Sequence, residues 1–151
     1  YSLASSILRN GRRLIAVGSG FQSKRSRVDE SKNLLIYGLT NFDTIELAKK
    51  NEVFSSLNVW LGKKEKIEIY TKKDIYITVT KRKKKLIKAY IEYSGPIEAP
   101  IAKDSKLGEL LIYYDDTLFK RYDVFSTEQI KKLNIFLRLI KSFNYMLWGD
   151  V

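Results

Sequence analysis

Period-two alternation through the middle of the chain limits its architecture more than any other feature. Ile67 and Ile69, then Ile75, Ile77 and Val79, alternate with polar residues, the pattern of strands with one buried and one wet face. The pattern continues from Leu86 to Tyr93, and Gly95-Pro96 punctuates it. Leu110 to Tyr114, a turn at Asp115-Asp116 and Leu118 to Phe125 predict a hairpin. Short strands with turn signals at this spacing predict a small all-β, sandwich-like unit over residues 43–125.

Both flanks break the alternation. At the start, Tyr1, Leu3, Ser5 and Ile7 lead to Asn10-Gly11, a strong turn signal, and then to the apolar run Leu14-Ile15-Ala16-Val17. That is a hairpin. After Gly18-Ser19-Gly20 the period lengthens: Val28, Leu34, Leu35, Gly38, Leu39 and Phe42 fall near one face of a helix from about Ser26 to Asn41. Strand, strand and helix are too little to make a domain alone.

At the other flank, Ser126 with Gln129 three residues on spells a capping box, which predicts a helix over 126–151. Leu133, Phe136, Leu137, Ile140, Phe143 and Leu147 lie within about 120° of one another on such a helix, and Trp148-Gly149 adds an interfacial aromatic and a stop. An amphipathic helix of this kind serves either as a core element or as an in-plane membrane anchor. Its cations, Lys131, Lys132, Arg138 and Lys141, add at most about 1 kcal/mol each near an anionic leaflet. Each large apolar side chain buried is worth about 1.5–3 kcal/mol, so the greasy face decides affinity.

Composition excludes much chemistry. With no Cys and no His, the chain holds no Ser-His-Asp triad, no thiol nucleophile, no disulfide and no Cys/His zinc site. No Asp/Glu run has the spacing of a calcium loop, and no metal or cofactor is expected. The net charge of +11 invites a nucleic-acid reading, but the Lys/Arg excess is spread along the chain. Its only dense run, Lys81 to Lys85, suits a solvated turn between strands. A basic nucleic-acid-binding β-protein is therefore the weaker alternative, and no nucleic-acid partner is expected. The chain opens at Tyr1 with no Met and no signal-like segment, and reads as a piece of something longer.

The order of these elements carries a resemblance. Asn10 to Val17, followed by Arg27, Glu30, Leu34-Leu35, Tyr37-Gly38 and Asn41-Phe42, resembles the closing hairpin and helix of the serine D-alanyl-D-alanine carboxypeptidases. These are low-molecular-mass penicillin-binding proteins. Val59-Trp60-Leu61-Gly62, Tyr93 to Pro100 and Lys106-Leu107-Gly108-Glu109 resemble the β-rich C-terminal domain of that family, and the last helix resembles its membrane anchor. The resemblance implies a mixed fold: the end of a penicillin-binding, β-lactamase-like α+β domain (1–42), a β-domain (43–125) and an anchor helix (126–151).

The family's chemistry runs through Ser-x-x-Lys, Ser-x-Asn and Lys-Thr-Gly. No Ser here has Lys three residues on, Lys-Thr-Gly is absent, and Ser56-Leu57-Asn58 lies in the β region. The chain thus looks like the C-terminal portion of such an enzyme, with no catalytic residue of its own. The resemblance assigns Arg27 to the terminal carboxylate of the substrate, a role that suits a planar guanidinium. It implies trimming of the last D-Ala from peptidoglycan stem peptides, at the periplasmic face of a bacterial inner membrane whose anionic surface the anchor meets. The remaining alternative is a non-catalytic, membrane-associated interaction module.

Overall fold

The computed structural model describes residues 1–148; within the last helix the side chains of Arg138, Lys141, Asn144, Tyr145 and Trp148 lie outside the described residues. The fold is mostly β with few helices, and the chain divides into two compact units.

The first unit comprises residues 1–45 and 76–85. Strands β1 (Leu3–Arg9) and β2 (Arg12–Gly18) form the hairpin, in register from Leu3 opposite Gly18 to Arg9 opposite Arg12. Asn10 and Gly11 make the turn, both at positive φ (49° and 74°), which the right-handed twist of a tight hairpin requires. Leu3, Ser5, Ile7, Leu14 and Ala16 point to the covered side, while Leu8, Ile15 and Val17 are exposed on the other.

Helix α1 (Lys24–Asn41) packs on the covered side. Its covered stripe runs through Arg27, Ser31, Leu35, Gly38 and Leu39. Gly38 lets the helix close on the hairpin, since a Cβ there would lie 3.0 Å from Leu14 Cδ1. Leu35, Gly38, Leu39 and Phe42 are covered as expected; Val28 and Leu34, expected on the same face, are exposed, and Arg27 and Ser31 stand on the stripe instead. At the helix end, Arg12 donates to Gly38 O (2.6 Å) and Phe42 O (2.7 Å), satisfying carbonyls that a helix terminus leaves free. Strands β3 (Phe42–Ala48) and β6 (Ile75–Thr80) pair, with the Thr44 and Thr78 hydroxyls 3.2 Å apart. The basic run is an exposed 3₁₀ turn, Lys81–Leu86, in which Lys84 binds Asp43 at 2.9 Å.

The second unit comprises residues 46–75 and 86–151. It is built on a six-stranded sheet in the order β7 (Ile87–Glu92), β9 (Lys106–Tyr114), β10 (Thr117–Ser126), β5 (Lys66–Tyr70), β4 (Val53–Trp60) and β8 (Ile97–Glu98). All neighbours are antiparallel except β8, which runs parallel to β4. Asp115 and Asp116 turn β9 into β10, both at positive φ. Ile67, Ile69, Ile75, Ile112, Val124 and Ile130 are fully buried, so the alternation read from the sequence is the core face of this unit.

The chain after β10 departs from expectation. Ser126 does not cap a helix: it is the last residue of β10 and fully buried. Its hydroxyl donates to Ala102 O (2.6 Å) and accepts from Ser105 N (3.1 Å), partners distant in sequence that the local Ser-x-x-Gln pattern cannot reveal. Residues 127–133 are instead stitched to the sheet. Thr127 N donates to Glu68 O, Ile130 and Ile101 exchange two backbone bonds, Lys63 N donates to Lys131 O, and Leu133 N donates to Leu61 O. Helix α2 (Ile135–Trp148) follows, beginning well after Ser126.

Candidate functional site

Two groups of residues carry candidate function, one in each unit. In the first, Ser23 caps α1 reciprocally: its hydroxyl accepts from Ser26 N (3.0 Å), and the Ser26 hydroxyl accepts from Ser23 N (3.1 Å). This fixes the first turn, and Arg27 N makes the first helical bond to Ser23 O. The Arg27 guanidinium carbon lies 5.9 Å from the centroid of the Tyr1 ring. Its Nε is buried and has no hydrogen-bond partner. Among the described residues Arg27 forms no ion pair with Glu30; nearby, Arg25 reaches Asp29 at 3.7 Å, fully in solvent. The Arg27 side chain is half-buried, and the forked N–H donors of a planar guanidinium are the group that pairs a carboxylate.

In the second unit the group is the apolar surface of α2. Phe136, Leu137, Ile140, Phe143 and Leu147 are all exposed, as are Ile135, Leu139 and Met146. Phe136 is 82% exposed and Met146 73%, values that a core helix does not show. Leu133 does not belong to this surface: it precedes α2, is half-buried, and is tied to Leu61. Trp148 ends α2, and its side chain lies outside the described residues. No helix among the described residues is long and apolar enough to cross a membrane.

Ser56-Leu57-Asn58 lies on β4, with Leu57 buried and Asn58 exposed. The same spelling recurs at Ser31-Lys32-Asn33 and Ser142-Phe143-Asn144, so it carries no chemistry by itself. Among the described residues no group of three or more acidic side chains is arranged to hold a metal ion. Sequence reasoning missed Arg12, whose bonds to the end of α1 hold the helix on the hairpin; its signal was a cation beside a tight turn, which many surface residues share.

Comparison with known proteins fits this geometry. The family model described as Penicillin-binding protein 5, C-terminal domain matches residues 42–132. The D-alanyl-D-alanine carboxypeptidase DacD of Salmonella typhimurium is 32% identical over 146 residues, which is 96% of this chain and 37% of that protein. DacA of Escherichia coli is 28% identical over 97% of this chain and 36% of its own length. The crystal structure of penicillin-binding protein 5 from Haemophilus influenzae superposes with a TM-score of 0.67 at 28% identity, covering 87% of this chain and 39% of that one. The chain therefore spans little more than a third of the relatives it matches. With a match over residues 42–132 and a mostly-β fold to go with it, the chain belongs to the family of penicillin-binding protein 5 C-terminal domains.

Proposed function

We propose that this chain is the C-terminal part of a serine-type D-alanyl-D-alanine carboxypeptidase that trims the terminal D-Ala from peptidoglycan stem peptides. The observation that carries this reading is the similarity to such enzymes over 96% of this chain, a span that takes in the hairpin and α1 as well as the β-domain. Residues 1–42 complete the peptidase domain, 43–125 form a spacer, and α2 docks on the periplasmic face of the inner membrane. In this reading the nucleophilic Ser and its Lys base, whose motif this chain lacks, belong to the preceding part of the enzyme. In that reaction the Ser attacks the penultimate D-Ala carbonyl, terminal D-Ala leaves, and water hydrolyses the acyl-enzyme.

Arg27 binds the carboxylate that marks the terminal residue. The resemblance, and a guanidinium that forms no ion pair among the described residues, support this role. A charge-assisted bond is worth about 1.5–3 kcal/mol, so Arg27→Ala in the whole enzyme raises KM for a D-Ala-D-Ala peptide by about ten- to a hundredfold. A substrate whose terminal carboxylate is amidated is unaffected. Equal loss on both substrates would remove Arg27 from carboxylate recognition.

The exposed apolar residues of α2 support the membrane reading. Phe136→Glu with Phe143→Glu is expected to abolish binding to phosphatidylethanolamine–phosphatidylglycerol vesicles, while added salt weakens the native chain only partly. The whole assignment is tested by labelling source membranes with a fluorescent penicillin and probing the same gel with an antibody to this chain. A penicillin-labelled, antibody-reactive band well above 17.6 kDa supports it; an unlabelled band at 17.6 kDa overturns it.

A further inference from the structure

β10 outruns its neighbour. It pairs with β9 from Thr117 to Phe125, but with β5 only through Phe125 opposite Tyr70 and Ser126 opposite Ile69. The cause is local. After Tyr70 the chain turns away at Thr71, whose hydroxyl donates to Lys73 O (2.9 Å), and Asp74 holds the turn by accepting from Lys50 N (2.8 Å). Among the described residues no strand pairs with this edge of β10 between Thr117 and Val124. An unpaired edge presents backbone N–H and C=O groups to an incoming strand.

Between that edge and the turn lies a cavity of about 330 Å³. Its apolar part is Tyr122 and Phe125, with the buried Ile75 beneath them, and its charged part is Lys72, Lys73 and Arg121. The Lys72 ammonium sits 3.8 Å from the centroid of the Phe125 ring, which holds it over the groove. Asp123, the acid at the rim, is already engaged by Lys106 at 2.6 Å. Among the described residues Arg121 has one long ion-pair contact, 3.7 Å, to Glu109. Lys73 has no side-chain partner among the described residues. The groove is thus a basic, partly apolar trough beside an open strand edge.

We propose that this groove binds an extended acidic peptide, which adds to the free edge of β10 as a strand and sets its carboxylates against Lys72, Lys73 and Arg121. The open edge selects a peptide backbone, because main-chain pairing is what it offers. On an added strand one alternate set of side chains meets the face of Arg121, Phe125 and Lys72, and the other meets the face of Tyr122. A second copy of this chain is a poor occupant, since its net charge of +11 repels a basic trough. The inference stands apart from the carboxypeptidase reading, needing only the β-domain.

The test titrates a fluorescein-labelled hexapeptide of alternating valine and glutamate with the full chain, read by anisotropy and by backbone amide shifts. Saturable binding is expected, with shifts confined to Leu118–Val124 and the turn at Lys72–Lys73. Lys72→Glu with Lys73→Glu weakens it at least tenfold in a chain that circular dichroism shows still folded, both residues being exposed. N-methylation of alternate peptide nitrogens abolishes binding. Equal affinity for the N-methylated peptide, for a valine–lysine peptide, or for an oligothymidylate of the same charge would overturn the proposal, as would shifts located elsewhere.

Discussion

Replacing Ser126 by Ala probes the join between the sheet and the segment that leads to α2. The Ser126 hydroxyl donates to Ala102 O at 2.6 Å, accepts from Ser105 N at 3.1 Å and lies 3.2 Å from Ser105 Oγ. Ser105 Oγ itself donates to Ala102 O at 2.8 Å. In Ser126→Ala, therefore, the Ala102 carbonyl keeps one donor, while the Ser105 N–H loses its acceptor. One partly buried donor left unsatisfied costs about 1–3 kcal/mol. Ser105→Ala alone removes a redundant bond, about 0.5–1.5 kcal/mol. The double variant strips both donors from Ala102 and costs more than the sum of the two, as coupled partners do. Urea unfolding reads these values as shifts in midpoint at constant slope.

Ser126→Asp separates this role from helix capping. A helix N-cap accepts Asp readily, whereas a fully buried strand position leaves a carboxylate short of donors and destabilises beyond the Ala variant. An Asp variant as stable as the native chain, or an Ala variant within about 0.5 kcal/mol of it, would refute the reasoning.

Other outcomes follow from the same structure. Arg12→Ala deletes two charge-assisted bonds to Gly38 O and Phe42 O and is expected to cost about 2–4 kcal/mol, read as faster amide exchange at the C-terminal end of α1. Gly108→Ala drives a Cβ into Glu92 O and to 2.9 Å from Tyr93 Cβ across the β7–β9 pair, where backbone cannot yield; thermal unfolding should show a loss of about 1–3 kcal/mol. Tyr70 donates to Asp104, and Lys106 and Lys88 are paired with carboxylates, so all three hold their protons above the ordinary values of 10.0 and 10.5. Their stabilisation is complete below those values and is lost as pH rises through the higher folded ones, so the urea midpoint falls in that alkaline window and falls less in Tyr70→Phe. Asp43 is held below its ordinary 3.8 by Lys84, and its contribution disappears only as pH falls past that value, a loss absent in Asp43→Asn.

What could be read in advance was local. Asn10-Gly11 and Asp115-Asp116 announce tight turns because few other residues accept positive φ, and both hairpins form there. Alternation through Ile67, Ile69, Ile75 and Ile77 named buried positions because a strand repeats every two residues. Long-range satisfaction was not legible. Ser126 carries a capping signature, yet its partners lie at Ala102 and Ser105, and only the folded sheet brings them near. The α1 stripe was legible in part: Leu35, Gly38, Leu39 and Phe42 are covered as the period implies, but Val28 and Leu34 lie in solvent because Arg27 and Ser31 take their places on the stripe. Arg27 was named through resemblance, but the burial of its Nε needed the fold. The trough beside β10 had no sequence signal, since it exists only because one strand is longer than its neighbour.

The stitching of residues 127–133 bears on how a pull would travel. A force applied through α2 meets backbone bonds from Leu133 to Leu61, Lys131 to Lys63, Ile130 to Ile101 and Thr127 to Glu68, reinforced by Lys64–Glu128 at 2.6 Å. These attach the segment before α2 to several elements of the second unit instead of to the end of one strand. Tension is thus shared before β10 itself is loaded. A chain built this way can be tugged by its last helix without unzipping its sheet.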